Sequence, residues 1–203
     1  MRFAVWLAVC LAVPAFTFAQ PKSQSAPSRD QAQAWTKEPS TVLGLRLGVP
    51  PEDGGLPSCQ EGVSHPASPC LSTVANPLPG YKPLLTIEGH PFTYAAFSVS
   101  VDDSGVLSKI TARMNHDRFA EFCNVLKERY GQPTSQVMSE AQSRGGPTYP
   151  NQSYVWSGKK ITIVASERFE SIDQSAVIFS DNAATARASA TKEADQKSAA
   201  SKL

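Results

Sequence analysis

The sequence predicts an α+β fold, an antiparallel sheet packed against one main amphipathic helix. Three observations carry that reading. Phe119, Phe122, Cys123, Leu126 and Tyr130 recur at spacings of three and four, which places them on one face of a helix. Segments rich in aromatic and β-branched residues flank that helix and come in pairs joined by turn residues, the pattern of hairpins. Helix and strands are segregated along the chain, and the β-α-β alternation of a parallel sheet is missing.

In chain order, residues 1–19 read as a signal peptide. Arg2 precedes an apolar run from Phe3 to Val13, and Thr17 and Ala19 supply small side chains at the third and first positions before a cut after Ala19. The run is shorter than the roughly 20 residues a spanning helix needs. No later segment approaches that length, so no membrane span is expected. Cys10 lies inside the apolar run behind the bulky Val9, which argues against lipidation. Residues 20–40 are polar, punctuated by proline and carry one isolated aromatic, Trp35; they read as a flexible lead.

Residues 41–180 are expected to form a single α+β domain. The stretch TVLGLRLGV at 41–49 alternates Leu43, Leu45 and Leu47 against Gly44, Arg46 and Gly48, the pattern of a half-buried strand that stops at PPEDGG. The glycines fit a twisted or bulged edge. Cys59 to Tyr81 is rich in proline and lacks periodicity, so it reads as a long loop. KPLLTIEG suits a strand, and residues 93–101 and 106–113 suit the arms of a hairpin around DDSG. The helix follows over 116–130, with Asn115 as its expected cap, Asp117 in its first turn, Lys127 facing solvent, and Gly131 and Pro133 as its stop. A loop over 134–153 leads to a second hairpin, Tyr154–Trp156 with Ile161–Ser166 across SGKK, and AVIFS at 176–180 supplies a last strand. Residues 181–203 have good helix propensity but no apolar stripe that could dock a helix, so they read as a disordered Ala/Lys-rich tail.

The charge balance excludes some function classes. The 203 residues carry 19 basic and 18 acidic side chains, and loss of Arg2 with the signal leaves 18 of each. Nucleic acids and anionic membranes are attracted first by excess Lys and Arg, so no nucleic-acid partner is expected. Export also removes Cys10 and leaves Cys59, Cys70 and Cys123 in an oxidising compartment. Three single pairings are then open. A bond between Cys59 and Cys70 would staple a segment that lacks secondary structure, whereas Cys123 sits on the apolar helix face as a buried thiol; the local bond is favoured, with a bridge from Cys123 as the alternative.

GLRLGVP at 44–50, FCNVLKERYGQPT at 122–134 and YVWSG at 154–158 resemble a poorly characterised group of exported bacterial proteins. Gly44 and Gly48 match its Gly-x-x-x-Gly opening, Cys59 and Cys70 its paired cysteines, Tyr130, Gly131 and Pro133 its Tyr-Gly-x-Pro helix end, and Trp156 its Trp-bearing strand. A looser similarity connects the chain to small envelope modules of the outer-membrane assembly lipoprotein type, from which it departs in having no lipidated cysteine and a poor first helix. The resemblance implies a protein of the bacterial cell envelope and carries no catalytic residue with it.

Residues that could carry chemistry give little. His65, His90 and His116 have no metal-ligand spacing; a site of Cys59, Cys70 and His65 competes with the disulfide, and no metal or other cofactor is expected. No serine lies in a Gly-x-Ser-x-Gly elbow, SGKK lacks the glycines of a phosphate loop, and the pairs Glu52 with Asp53 and Asp102 with Asp103 fall in turns. Tyr149, Tyr154 and Trp156 border a Gly- and Pro-rich loop and form a candidate recognition patch, although Tyr154 and Trp156, two apart on a strand, equally suit packing on Phe119 and Phe122. The expected role is therefore non-catalytic binding or structure, in the periplasm or secreted, toward an envelope protein or cell-wall component. Loops 50–80 and 134–153 would present the surface. An envelope hydrolase, or an inhibitor of one, is the alternative.

Overall fold

Eight antiparallel strands organise the computed structural model, which describes residues 35–74, 83–142 and 146–202. They are β1 (Cys70–Val74), β2 (Leu84–Glu88), β3 (Ala95–Val101), β4 (Leu107–Asn115), β5 (Ser135–Gln142), β6 (Thr148–Ser157), β7 (Ile161–Ser166) and β8 (Gln174–Asp181). The order across the sheet is β1-β2-β3-β4-β8-β7-β6-β5. Two meanders, β1 to β4 before the helix and β5 to β8 after it, therefore join where β4 pairs with β8, in a register that sets Ala112 against Val177. The fold is the expected α+β arrangement.

Pairing fixes the faces, because opposed residues point to the same side of a sheet. Leu71, Ile87, Phe97, Ala112, Val177, Ala165 and Tyr154 make one row across the sheet, and Ala112, Val177 and Ala165 at its centre are fully buried. Over that face lies α1 (Phe119–Tyr130), whose buried residues are Phe119, Phe122, Cys123, Leu126 and Tyr130, the five its periodicity selects. Phe122 meets Phe92 and Phe97 at ring separations of 5.0 and 6.3 Å, and Tyr130 meets Phe179 at 6.4 Å. The opposite face carries a row of small hydroxyl and β-branched residues: Ser72, Thr86, Ser98, Thr111, Ile178, Val164, Val155 and Ser135.

Several local expectations give way. Residues 41–49 are not a strand: Val42 and Leu45 close a tight turn, with Leu43 at φ 52° and Gly44 at φ 90°. Val42, Leu45 and Leu47 are buried by that turn, so the apolar residues reach the core by a different backbone path. The chain then reaches β4 through Gly48 N–H to Leu107 O. The long loop from Cys59 ends earlier than expected because β1 starts at Cys70 and pairs with β2. A 3-10 turn at His116–Arg118 precedes α1, and the Asn115 side chain makes no capping bond. Lys127, expected in solvent, places its Nζ 4.3 Å from the Tyr154 ring centroid, where a cation meets the negative face of the ring. The region 134–153 holds a whole strand, β5, and half of β6.

The ends also differ. Residues 182–200, expected as a disordered tail, form α2 (Asn182–Ala200). Asp181 caps it by accepting from Ala184 N–H at 2.7 Å, and Ala184 is its one buried residue. Arg187 ties it to the turn of the β3–β4 hairpin through Asp102 at 2.8 Å. The last residues of the expected flexible lead are docked: Trp35 Nε1 donates to Tyr130 O, and the Glu38 carboxylate accepts from the backbone N–H groups of Lys159, Lys160 and Ile161. The expected signal peptide and residues 20–34 of the lead lie outside the described residues. No described helix is long and apolar enough to cross a membrane.

Candidate binding surface

An antiparallel sheet ends in two strands whose outward N–H and C=O groups need a partner, and the two ends of this sheet differ in how they are covered. At the β1 end the cysteine segment folds back along the edge. Cys59 N–H donates to Leu71 O at 3.0 Å, Leu71 N–H donates to Pro57 O at 2.8 Å, and the Cys59–Cys70 disulfide holds the two segments together. The favoured local pairing is thus the one present, and its role is to cover an edge.

The β6 edge, where β6 runs past the end of β7, is covered as well. The Glu167 carboxylate accepts from Gln152 N–H, Glu167 N–H donates to Gln152 O, Arg168 N–H donates to the Asn151 side chain, and Pro150 has no N–H to offer. Arg168 also places its guanidinium 5.0 Å from the Tyr149 ring centroid.

The outer edge of β5 has no such cover among the described residues. Seven of its eight residues are exposed, with Val137 at 51% and Met138 at 61%. It contains neither lysine nor proline, and its one charged residue is Glu140. Edges are usually blunted by those residues, by bulges or by covering loops. A shallow concavity bounded by Met138, Ser139, Glu140, Thr148, Tyr149 and Pro150 lies beside the strand.

The candidate patch of Tyr149, Tyr154 and Trp156 does not hold together. Trp156 is fully buried, with Nε1 donating to Gly131 O at 2.8 Å, and Tyr154 stacks on Phe119 at 6.2 Å. Both belong to the core under α1, which their spacing of two on a strand also allowed. Tyr149 alone reaches the β5 surface. The sequence signal for β5 was weak because a strand exposed on both faces has no apolar alternation; its cue is a run free of Gly and Pro between Pro133 and Gly145.

The remaining chemistry-bearing residues do not gather into one site. His116 Nε2 lies 3.1 Å from Glu167 Oε1. Asp102 accepts from Ser104, Val106 and Arg187, and the Ser104 hydroxyl and Arg187 hold its carboxyl well below the usual carboxylate range. Glu52 and Asp53 sit in a 3-10 turn. Cys123 is buried, and that burial pushes its thiol up to about 12, which disfavours the thiolate form. His65 and His90 line a groove between the cysteine segment and the β2–β3 connection, where His90 Nδ1 is buried without a hydrogen-bond partner. Among the described residues no cluster of three or more His, Cys, Asp and Glu side chains is arranged to hold a metal. Comparison with protein-family models, with curated proteins and with solved structures gives no match.

Proposed function

We propose that the chain is an exported, non-catalytic binding or structural protein of the bacterial cell envelope, and that it works by adding an extended polypeptide segment to the edge of β5. The observation that carries this reading is the contrast between the edges. The β1 edge and the overhang of β6 are covered by the protein's own chain, whereas the outer backbone of β5 has no partner among the described residues. An added strand would gain main-chain hydrogen bonds along β5 and would lay alternate side chains against Val137 on one face and Met138 on the other. Export is supported by the apolar run behind Arg2, by the small residues before Gln20, and by a disulfide of the kind that persists outside the reducing cytosol.

A photo-crosslinking side chain in place of Met138, in protein exported to the periplasm of a bacterial host, tests the reading. Adducts with discrete envelope proteins or with the protein itself are expected at this position and not at Thr191, an exposed position on α2. Equal labelling from both positions would reject β5 as the recognition element.

A further inference from the structure

We infer that the segment β5 takes up is β5 of a second copy, giving a reversible dimer with one sheet continuous across it; this rests on β5 being the recognition element. A twofold axis perpendicular to the sheet brings a second β5 alongside in antiparallel orientation and keeps both α1 helices on the same face. Opposed side chains must share a face, so that symmetry pairs only odd residues with odd and even with even.

Within that constraint β5 is self-complementary. Centred on Met138, the pairing sets the most exposed apolar side chain against its own copy, Val137 against Ser139 of the second copy, and the Gln136 amide against the Glu140 carboxylate of the second copy. The amide can donate to the carboxylate. The two Glu140 carboxylates, the only charges on the strand, stay apart, and no like charges oppose each other. Centring on Ser139 instead would bury no exposed apolar residue against itself and would set Met138 against Glu140. A heterologous strand would need to match this two-faced edge and its single carboxylate from another sequence; the second copy matches it by symmetry. One strand pair lies at the small end of specific interfaces, so the association should be weak and concentration-dependent.

Sedimentation velocity of the exported, purified protein from micromolar to millimolar concentration reads the association directly. A monomer–dimer equilibrium is expected, with Met138→Lys weakening it at least about tenfold because two ammonium groups would meet at its centre. Leu84→Lys, which charges a similarly exposed apolar site on β2, should leave it unchanged. Opposed Cβ atoms in such a pair lie about 4.5–5.5 Å apart. Met138→Cys should therefore form an intermolecular disulfide under mild oxidation, whereas Glu140→Cys, set against Gln136 of the second copy, should not. Far-UV circular dichroism and thermal melts of each variant exclude loss of fold as the cause. A monomer at every concentration, or a dimer indifferent to Met138→Lys, would overturn the inference. Envelope adducts from position 138 alongside a monomer would leave the binding reading standing with a different partner.

Discussion

At the scale of single residues, burial decides which titratable groups respond to solution conditions. Burial pushes the His90 imidazole below its ordinary value of 6.5, with Glu88 acting in the opposite direction, and a proton added at Nδ1 would find no acceptor. The unfolded chain therefore binds that proton more readily than the folded one. The stability tied to neutral His90 is complete above pH 6.5 and declines as pH falls below it toward the lowered folded value. Denaturant titrations at a series of pH values should show this loss, and His90→Phe, kept in edge contact with Phe97, should flatten it. Phe122 tests packing. It is 2% exposed among Phe92, Phe97 and Tyr94, so Phe122→Ala should cost about 3–5 kcal/mol in denaturant unfolding. The neighbouring Glu121→Ala, on the exposed side of α1, should cost under about 0.5 kcal/mol.

At the scale of elements, legibility followed burial. The helix face of α1 was readable because five buried side chains at helical spacing leave one periodic trace; β3 and β7 were readable because their burial alternates against that face, and β4 and β8 because they carry short apolar runs buried at the centre of the sheet. Where no face is buried, the trace vanishes. β5 is exposed on both sides, and α2 carries no apolar stripe, so neither could be found by pattern. The 41–49 segment failed for the opposite reason: Leu45 and Leu47 are buried, but a turn at Leu43 and Gly44 mimics the alternation of a strand. Since α2 is held by the Asp181 cap, Ala184 and Arg187, ending the chain at Ser189 should cost under about 0.5 kcal/mol and leave the melt cooperative. The cysteine segment is bound more firmly. Closing an 11-residue separation constrains the unfolded chain by about 2–3 kcal/mol in the chain-closure model, which reduction should remove. In protein lacking residues 1–19, alkylation after denaturation without reductant should label Cys123 and neither Cys59 nor Cys70, and a label on either of the latter would contradict the staple.

Across the whole molecule, the sheet places residues far apart in sequence side by side, and residues 35–40 close the arrangement from outside. Trp35 crosses the end of α1, donating to Tyr130 O at 2.7 Å with its ring 6.2 Å from that of Tyr130. Glu38 then fills the β6–β7 turn. A Cβ on Gly158 would collide with its carboxylate, which explains why a glycine stands in SGKK. Burial raises the Glu38 pKa, but three backbone N–H donors and Lys160 outweigh it and hold the carboxyl below its usual value of 4.5. The sequence hint was the lone Trp35 in an otherwise polar lead, since a large ring is seldom left without apolar contact. These contacts span separations of 95 to 123 residues, so they bind the start of the described chain to both the helix and the second meander. A chain beginning at Thr41 should accordingly lose about 2–4 kcal/mol relative to one beginning at Trp35, from the charge-assisted bonds of Glu38 and the apolar area of Trp35. The difference should shrink as pH falls through the folded pKa of Glu38, because a lowered carboxyl contributes stability above 4.5 that is lost on protonation. Equal denaturation midpoints for the two chains at neutral pH would show that the segment merely rests on the sheet.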